Sequence, residues 1–190
     1  MDAACGTISM STAFACCSLS RTPGWSVARI DANKWSVTSR GYSGRFADDL
    51  LVMLDGRTVY SPLFAGTFWE TLDLPLEDID RIEIIRGPGG TIWGANAANG
   101  AIHIITKHTR TTQGNLITSG GGSEERGFAT LRHGGKIGEN FHYRLFTKGF
   151  TRDNSFSPNG ANDSWRMGTV GFRADWDIND NNAIFFRGQY

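Results

Sequence analysis

Residues 86–106 read R-G-P-G-G-T-I-W-G-A-N-A-A-N-G-A-I-H-I-I-T. Before them runs an alternating segment, Ile82-Glu83-Ile84-Ile85, and residues 101–107 form a second apolar segment at their end. Glycine and proline at this density specify backbone conformation rather than side-chain chemistry. The pattern predicts a strand, a close-packed turn of small residues, and a second strand. It describes a rigid scaffold that fits inside something larger. The stretch is no phosphate loop, because the G-x-G-x-x-G spacing fails and no G-K-[ST] follows.

Upstream, residues 50–54 (L-L-V-M-L) form a continuous apolar run, as expected of a strand buried on both faces. Asp55-Gly56 follows as a tight-turn dipeptide, and residues 57–60 return. Residues 75–80 (P-L-E-D-I-D) suit a short helical turn, with proline at its start and carboxylates in the first turn. Short strands, little helix and large loops describe a small α+β unit.

Composition bounds the rest. The 190 residues carry 19 Lys plus Arg and 19 Asp plus Glu, so charge offers no argument for a nucleic-acid partner. With 24 Gly, 12 Phe and 6 Trp, the mix favours strands and turns. No apolar run approaches the roughly 20 residues of a membrane-spanning helix. Any bilayer contact must therefore use β-strands. Cys5, Cys16 and Cys17 are odd in number and lack a C-x-x-C, which argues against a metal site or disulfide framework. Residues 1–20 contain no Lys or Arg, so they make a poor signal peptide, and residues 1–22 read as a disordered leader.

From about residue 113 the pattern changes to alternation. Phe141, Tyr143 and Leu145 oppose His142, Arg144 and Lys148, although Phe146 and Phe150 share the polar side. Val170, Phe172, Ala174 and Trp176 oppose Thr169, Arg173 and Asp175. Ile184, Phe186 and Tyr190 oppose Arg187 and Gln189. Weaker segments cover residues 116–123 and 126–133, and turns are expected at 134–140, 153–163 and 177–182. Segments of about ten residues with aromatic ends suit transmembrane β-strands. A soluble antiparallel sheet alternates in the same way, and the pattern alone does not separate the two.

Read together, residues 23–190 resemble a TonB-dependent outer-membrane receptor. The matching elements are Arg40-Gly41-Tyr42, the Asp55-Gly56 hairpin, residues 76–88 as a central strand through Gly87-Pro88, and residues 91–106 with Gly94 and Gly100. The resemblance implies an α+β plug domain over residues 23–110, followed over residues 111–190 by the first antiparallel strands of a transmembrane β-barrel of about 22 strands. It implies active uptake of a metal chelate, a ferric siderophore before cobalamin, across the outer membrane of a Gram-negative bacterium. Its partners would be a TonB-type energy-transducing protein, the chelate and outer-membrane lipid, with no nucleic acid, no cofactor and no catalytic residue. No TonB box stands in residues 1–22, and the chain is expected to be a fragment that does not transport alone. The rival classes are a receptor-type signalling module with a periplasmic partner and a soluble β-rich hydrolase. The hydrolase lacks any nucleophile or acid–base cluster.

By position, the resemblance places ligand contacts in three loops at the plug apex. The residues are Arg29, Asp31 and Lys34; Tyr42 and Arg45; and Phe64, Phe68 and Trp69. Arginine and lysine suit an anionic chelate, and aromatic rings offer flat surface. Glu83 and Arg86 would form ion pairs between plug and barrel. A calcium loop at Asp175, Asp177, Asn179 and Asn181 fails, since its sixth position is Asp180 and its twelfth Phe186. His103, His108, His133 and His142 show no ligand spacing.

Overall fold

The computed structural model describes residues 23–39, 49–61, 63–94, 96–155, 160–179 and 182–190. Residues 1–22, with the three cysteines, lie outside the described residues, as do Arg40, Gly41, Tyr42 and Arg45. The chain forms two compact units that divide between Thr106 and Lys107. The boundary expected at residue 110 falls inside the second unit, because Lys107 and Thr109 are bonded to side chains of that unit's strands.

The first unit opens with a hairpin of β1 (Trp25–Arg29) and β2 (Trp35–Ser39). Its main sheet has the order β4-β3-β8-β7. Here β3 is Leu50–Leu54, β4 Arg57–Thr58, β7 Ile79–Arg86 and β8 Gly100–Thr106. Every residue of β3 is buried, as a continuous apolar run requires. It pairs parallel with β8 and antiparallel with β4, so a long crossover that contains β4 and β7 joins β3 to β8. The hairpin return is shorter than expected. Val59 donates to the Val52 carbonyl, after which β5 (Tyr60–Ser61) turns away to pair with β6 (Gly66–Thr67).

Residues 76–88 prove to hold an edge strand, not a central one. The interior positions belong to β3 and β8, and β8 buries Ala101, Ile102 and Ile104, while β7 exposes Asp80, Arg81, Glu83 and Arg86. Charges are tolerated at an edge and blunt it against further pairing. The expected helical turn is a 3₁₀ turn at Leu76–Asp78. Between β7 and β8 lies α1 (Gly90–Trp93), tied by bonds from Gly89 N to Ala97 O and from Ala97 N to Gly94 O. Ala97 packs with Leu51, Met53 and Ala101 in the core. Gly100 has φ of 152°, and a Cβ there would stand 2.6 Å from the Ile85 carbonyl oxygen. Only glycine lets β7 and β8 approach so closely.

The second unit is one antiparallel sheet of order β13-β12-β11-β10-β9. Its strands are β9 (Gly114–Gly120), β10 (Glu125–Ile137), β11 (Phe141–Arg152), β12 (Trp165–Asn179) and β13 (Asn182–Gln189). The turn expected at 134–140 shrinks to 138–140, because Gly134 and Gly135 continue the ladder opposite Arg144 and Tyr143. Strand β12 likewise runs on to Asn179 through an irregularity after Asp177. Aromatic rings lie directly opposite glycines: Phe128 over Gly120, Tyr143 over Gly135, Phe146 over Gly171 and Phe172 over Gly188. The ring fills the space that a Cβ would take. This is why Phe146 shares the otherwise polar side of β11.

Burial settles which face of this sheet is inside. On β11, Lys148 is 4 % exposed and Leu145 52 %; on β12, Asp175 is 3 % exposed and Phe172 44 %. The polar side is buried and the apolar side exposed, the reverse of a water-soluble sheet and the arrangement of a transmembrane barrel wall. Connections follow the same logic. A three-residue turn joins β10 to β11 at one end, whereas twelve residues separate β11 from β12 in sequence at the other. Among the described residues, no helix is long and apolar enough to cross a membrane.

Candidate functional site

The first apex loop joins β1 to β2 and is closed by its own side chains. Ile30 N donates to Lys34 O at 2.8 Å. The Asp31 carboxylate accepts from Asn33 N at 3.0 Å and Lys34 N at 2.8 Å, and pairs with the Lys34 ammonium. Arg29 Nε and Nη2 donate to the carbonyls of Asp31 and Ala32 at 2.9 and 3.0 Å. Partial burial works to raise the Asp31 carboxyl, but Lys34 and the two backbone N–H groups outweigh it and hold it below its ordinary value. Both cations expected to meet an anionic ligand therefore also build the loop.

The third apex loop, the aromatic one, follows β5. Ala65 adopts a φ of 49°, and Leu63 and Phe64 stand exposed at 87 % and 54 %. The Phe64 and Phe68 rings meet edge to face, with centroids 5.2 Å apart. This pair offers apolar surface of fixed orientation. Trp69 does not join it. It starts a 3₁₀ turn, Trp69–Thr71, and its side chain is buried, so it offers no flat surface to a ligand.

On β7, Glu83 accepts from Arg81 Nε at 2.8 Å and lies 3.7 Å from His103 Nδ1 on β8. His103 Nε2 accepts from Gly56 N at 2.9 Å, which ties the Asp55-Gly56 turn to β8. Arg86 is exposed at the end of β7. Asp55 has a φ of 48°, and its carboxylate accepts from Thr106 N at 2.7 Å and Thr106 Oγ1 at 2.8 Å. The Asp55-Gly56 element is thus a clamp on the sheet. Among the described residues, no group of three or more His, Cys, Asp and Glu side chains is placed to hold a metal ion.

The family model described as "TonB-dependent Receptor Plug Domain" matches residues 17–101. Residues 17–101 are thus a plug domain of the TonB-dependent receptor family. The match begins six residues before the expected start at residue 23, so part of the presumed leader belongs to the plug region. The vitamin B12 transporter BtuB of Vibrio vulnificus (strain CMCP6) is 31 % identical over 119 residues, covering 60 % of this chain and 19 % of that protein. The ferric enterobactin receptor of Pseudomonas aeruginosa PAO1 is 31 % identical over 120 residues, covering 54 % of this chain and 16 % of that protein. Among solved structures, the copper transporter OprC superposes with a TM-score of 0.69 at 18 % identity, over 92 % of this chain and 27 % of its own. The chain therefore spans about a fifth of these curated relatives, and its fold is that of a plug followed by barrel strands.

Sequence reasoning missed one group of residues. Arg144, Asp175 and Gly134 meet the segment that leads into β9. The available signal was the polar side of the alternation. Once that side is taken as inward, these three positions fall on one face of neighbouring strands.

Proposed function

We propose that this chain is part of an outer-membrane receptor for energised uptake of a metal chelate, a ferric siderophore in preference to cobalamin. The single observation that carries the reading is the inverted sheet, polar within and apolar without, in a chain that also carries a plug. Such a wall belongs in lipid, and a plugged barrel of this kind moves cargo without converting it. Charge favours an anionic cargo. By register the inward face of the second unit carries Arg132, Lys136, Arg144, Lys148, Arg152, Arg173 and Arg187 against Glu125, Asp175 and Asp177. The Phe64–Phe68 pair and Leu63 supply apolar contact, with Arg29, Asp31, Lys34, Tyr42 and Arg45 as the polar complement at the apex. Energy would come from a TonB-type partner acting on the plug, with Glu83 and Arg86 as the plug side of ion pairs to the wall.

Binding by outer membranes that carry the complete receptor of which this chain is part tests the proposal. A ferric catecholate chelate should be retained, and retention should weaken with added salt. Cyanocobalamin should compete poorly. Retention of cyanocobalamin alone would replace the cargo, and retention of neither would overturn the assignment.

A further inference from the structure

Residues 107–113, which lead into β9, are held by the second unit along most of their length. Thr109–Thr112 form a 3₁₀ turn with Thr109 and Thr112 buried. Arg144 Nη1 on β11 donates to the Lys107 carbonyl at 3.1 Å and to Thr112 Oγ1 at 3.4 Å. Asp175 on β12 accepts from Thr109 N at 3.0 Å and is itself gripped by Arg173 Nη2 at 2.8 Å. Arg110 pairs with Asp177. On β10, Gly134 faces the Thr112 carbonyl, and a Cβ there would overlap that oxygen. A glycine inside a strand weakens it and marks a close approach of another backbone. Gly134 lies directly opposite Arg144, and His142, one inward position along from Arg144, lies opposite Asp175, so three adjacent strands contribute to one seat.

We propose that Asp175 is a positioning residue which, with Arg144 and Gly134, fixes residues 107–113 to the wall during uptake. The motion that opens the receptor is then confined to residues before Lys107. The idea rests on the uptake function proposed above. It follows from what the seat would have to lose: releasing the segment breaks bonds to two strands at once and exposes the buried Thr109 and Thr112. A loose connection would need none of these partners.

Two readouts test it, the first on the full chain. Hydrogen exchange at the Thr109 amide should rise about tenfold in Asp175→Ala, the loss of one charge-assisted bond, while amides of Thr130 and Leu145 stay unchanged. Gly134→Ala, which pushes on Thr112 without removing a charge, should raise the same signal. With the same changes made in the complete receptor of which this chain is part, cells should bind the ferric catecholate probe as the parent does but take it up at least several-fold more slowly. Unchanged exchange at Thr109 would overturn the seat. Raised exchange with uptake at the parent rate would overturn the positioning role. Should the parent bind no chelate, the uptake function fails, and the exchange arm still decides whether the seat exists.

Discussion

Asp55 is the most demanding test of how the first unit is held, because three substitutions separate its two roles. The residue sits at φ 48°, and its carboxylate bonds both the amide and the hydroxyl of Thr106, which is 3 % exposed. Removing the carboxylate leaves a buried amide without this acceptor, a loss of about 2–3 kcal/mol for a partly exposed charged acceptor with two bonds. The left-handed backbone adds about 1 kcal/mol for alanine and nothing for glycine. Asparagine keeps one acceptor and tolerates this backbone, so about 1 kcal/mol is expected. The predicted order of destabilisation is Asp55→Asn, then Asp55→Gly, then Asp55→Ala at about 3–4 kcal/mol. Native-state hydrogen exchange at Thr106, Ile104 and Leu51 reads this directly, since about 1.4 kcal/mol is a tenfold change in opening. If Asp55→Gly exchanged like the parent, the clamp on Thr106 would be refuted and the turn alone would explain the residue. If Asp55→Asn were the worst of the three, the two bonds from Thr106 could not be what the carboxylate contributes.

Three further outcomes are expected. Gly100→Ala should destabilise the first unit by about 3 kcal/mol or more, from the Cβ contact with Ile85 and the φ of 152°, measured by urea unfolding. The 30–34 loop should loosen in acid. Its Asp31 carboxyl is held below the ordinary value, so its stabilisation is complete above about pH 4 and is lost as pH falls through the lowered value. Protection of the Asn33 and Lys34 amides, taken relative to the intrinsic exchange rate at each pH, should be level above that range and fall below it; a fall on the alkaline side would contradict the assignment. Leu145→Arg, on the exposed face of β11, should weaken folding into lipid vesicles by about 2–4 kcal/mol at mid-bilayer depth. Lys148→Leu on the opposite face should change insertion little, and a reversed ranking would mean that the inward side has been misassigned.

What the sequence made legible was local. The apolar run at residues 50–54 could only be a strand buried on both faces, and Asp55-Gly56 could only turn. The order of pairing was not legible. Residues 79–86 and 100–106 are both apolar enough to be central, and only the pairing of β8 with both β3 and β7 shows which one is. The apex was legible in part. Phe64 and Phe68 face each other at a loop, but Trp69, next in sequence, is turned inward by a 3₁₀ turn that no local signal announces. The seat for residues 107–113 was invisible for a plainer reason. Thr109 and Asp175 are 66 residues apart, and neither has a motif to mark it.

The alternation of residues 141–152 is the deepest of these ambiguities, because its resolution changes the solvent. A period of two is the same whichever face is buried. The two units of this chain are therefore stabilised by opposite arrangements of similar side chains. The first can gather Leu51, Met53, Ala97 and Ala101 into an apolar core in water. The second keeps Ile117, Leu131, Leu145, Val170 and Phe172 outside, so its apolar area lowers the free energy only once lipid surrounds it. Lipid is also the solvent in which its edges are least tolerable. Strands β9 and β13 each have one partner in this sheet. Every backbone group they leave unpaired costs several kcal/mol in hydrocarbon. The face drives the sheet into the bilayer while its edges oppose entry, and both demands are met only when β9 and β13 gain neighbours before or during insertion. Formation of the first unit carries no such condition, so the plug sheet is expected to be able to form in water before the wall is complete.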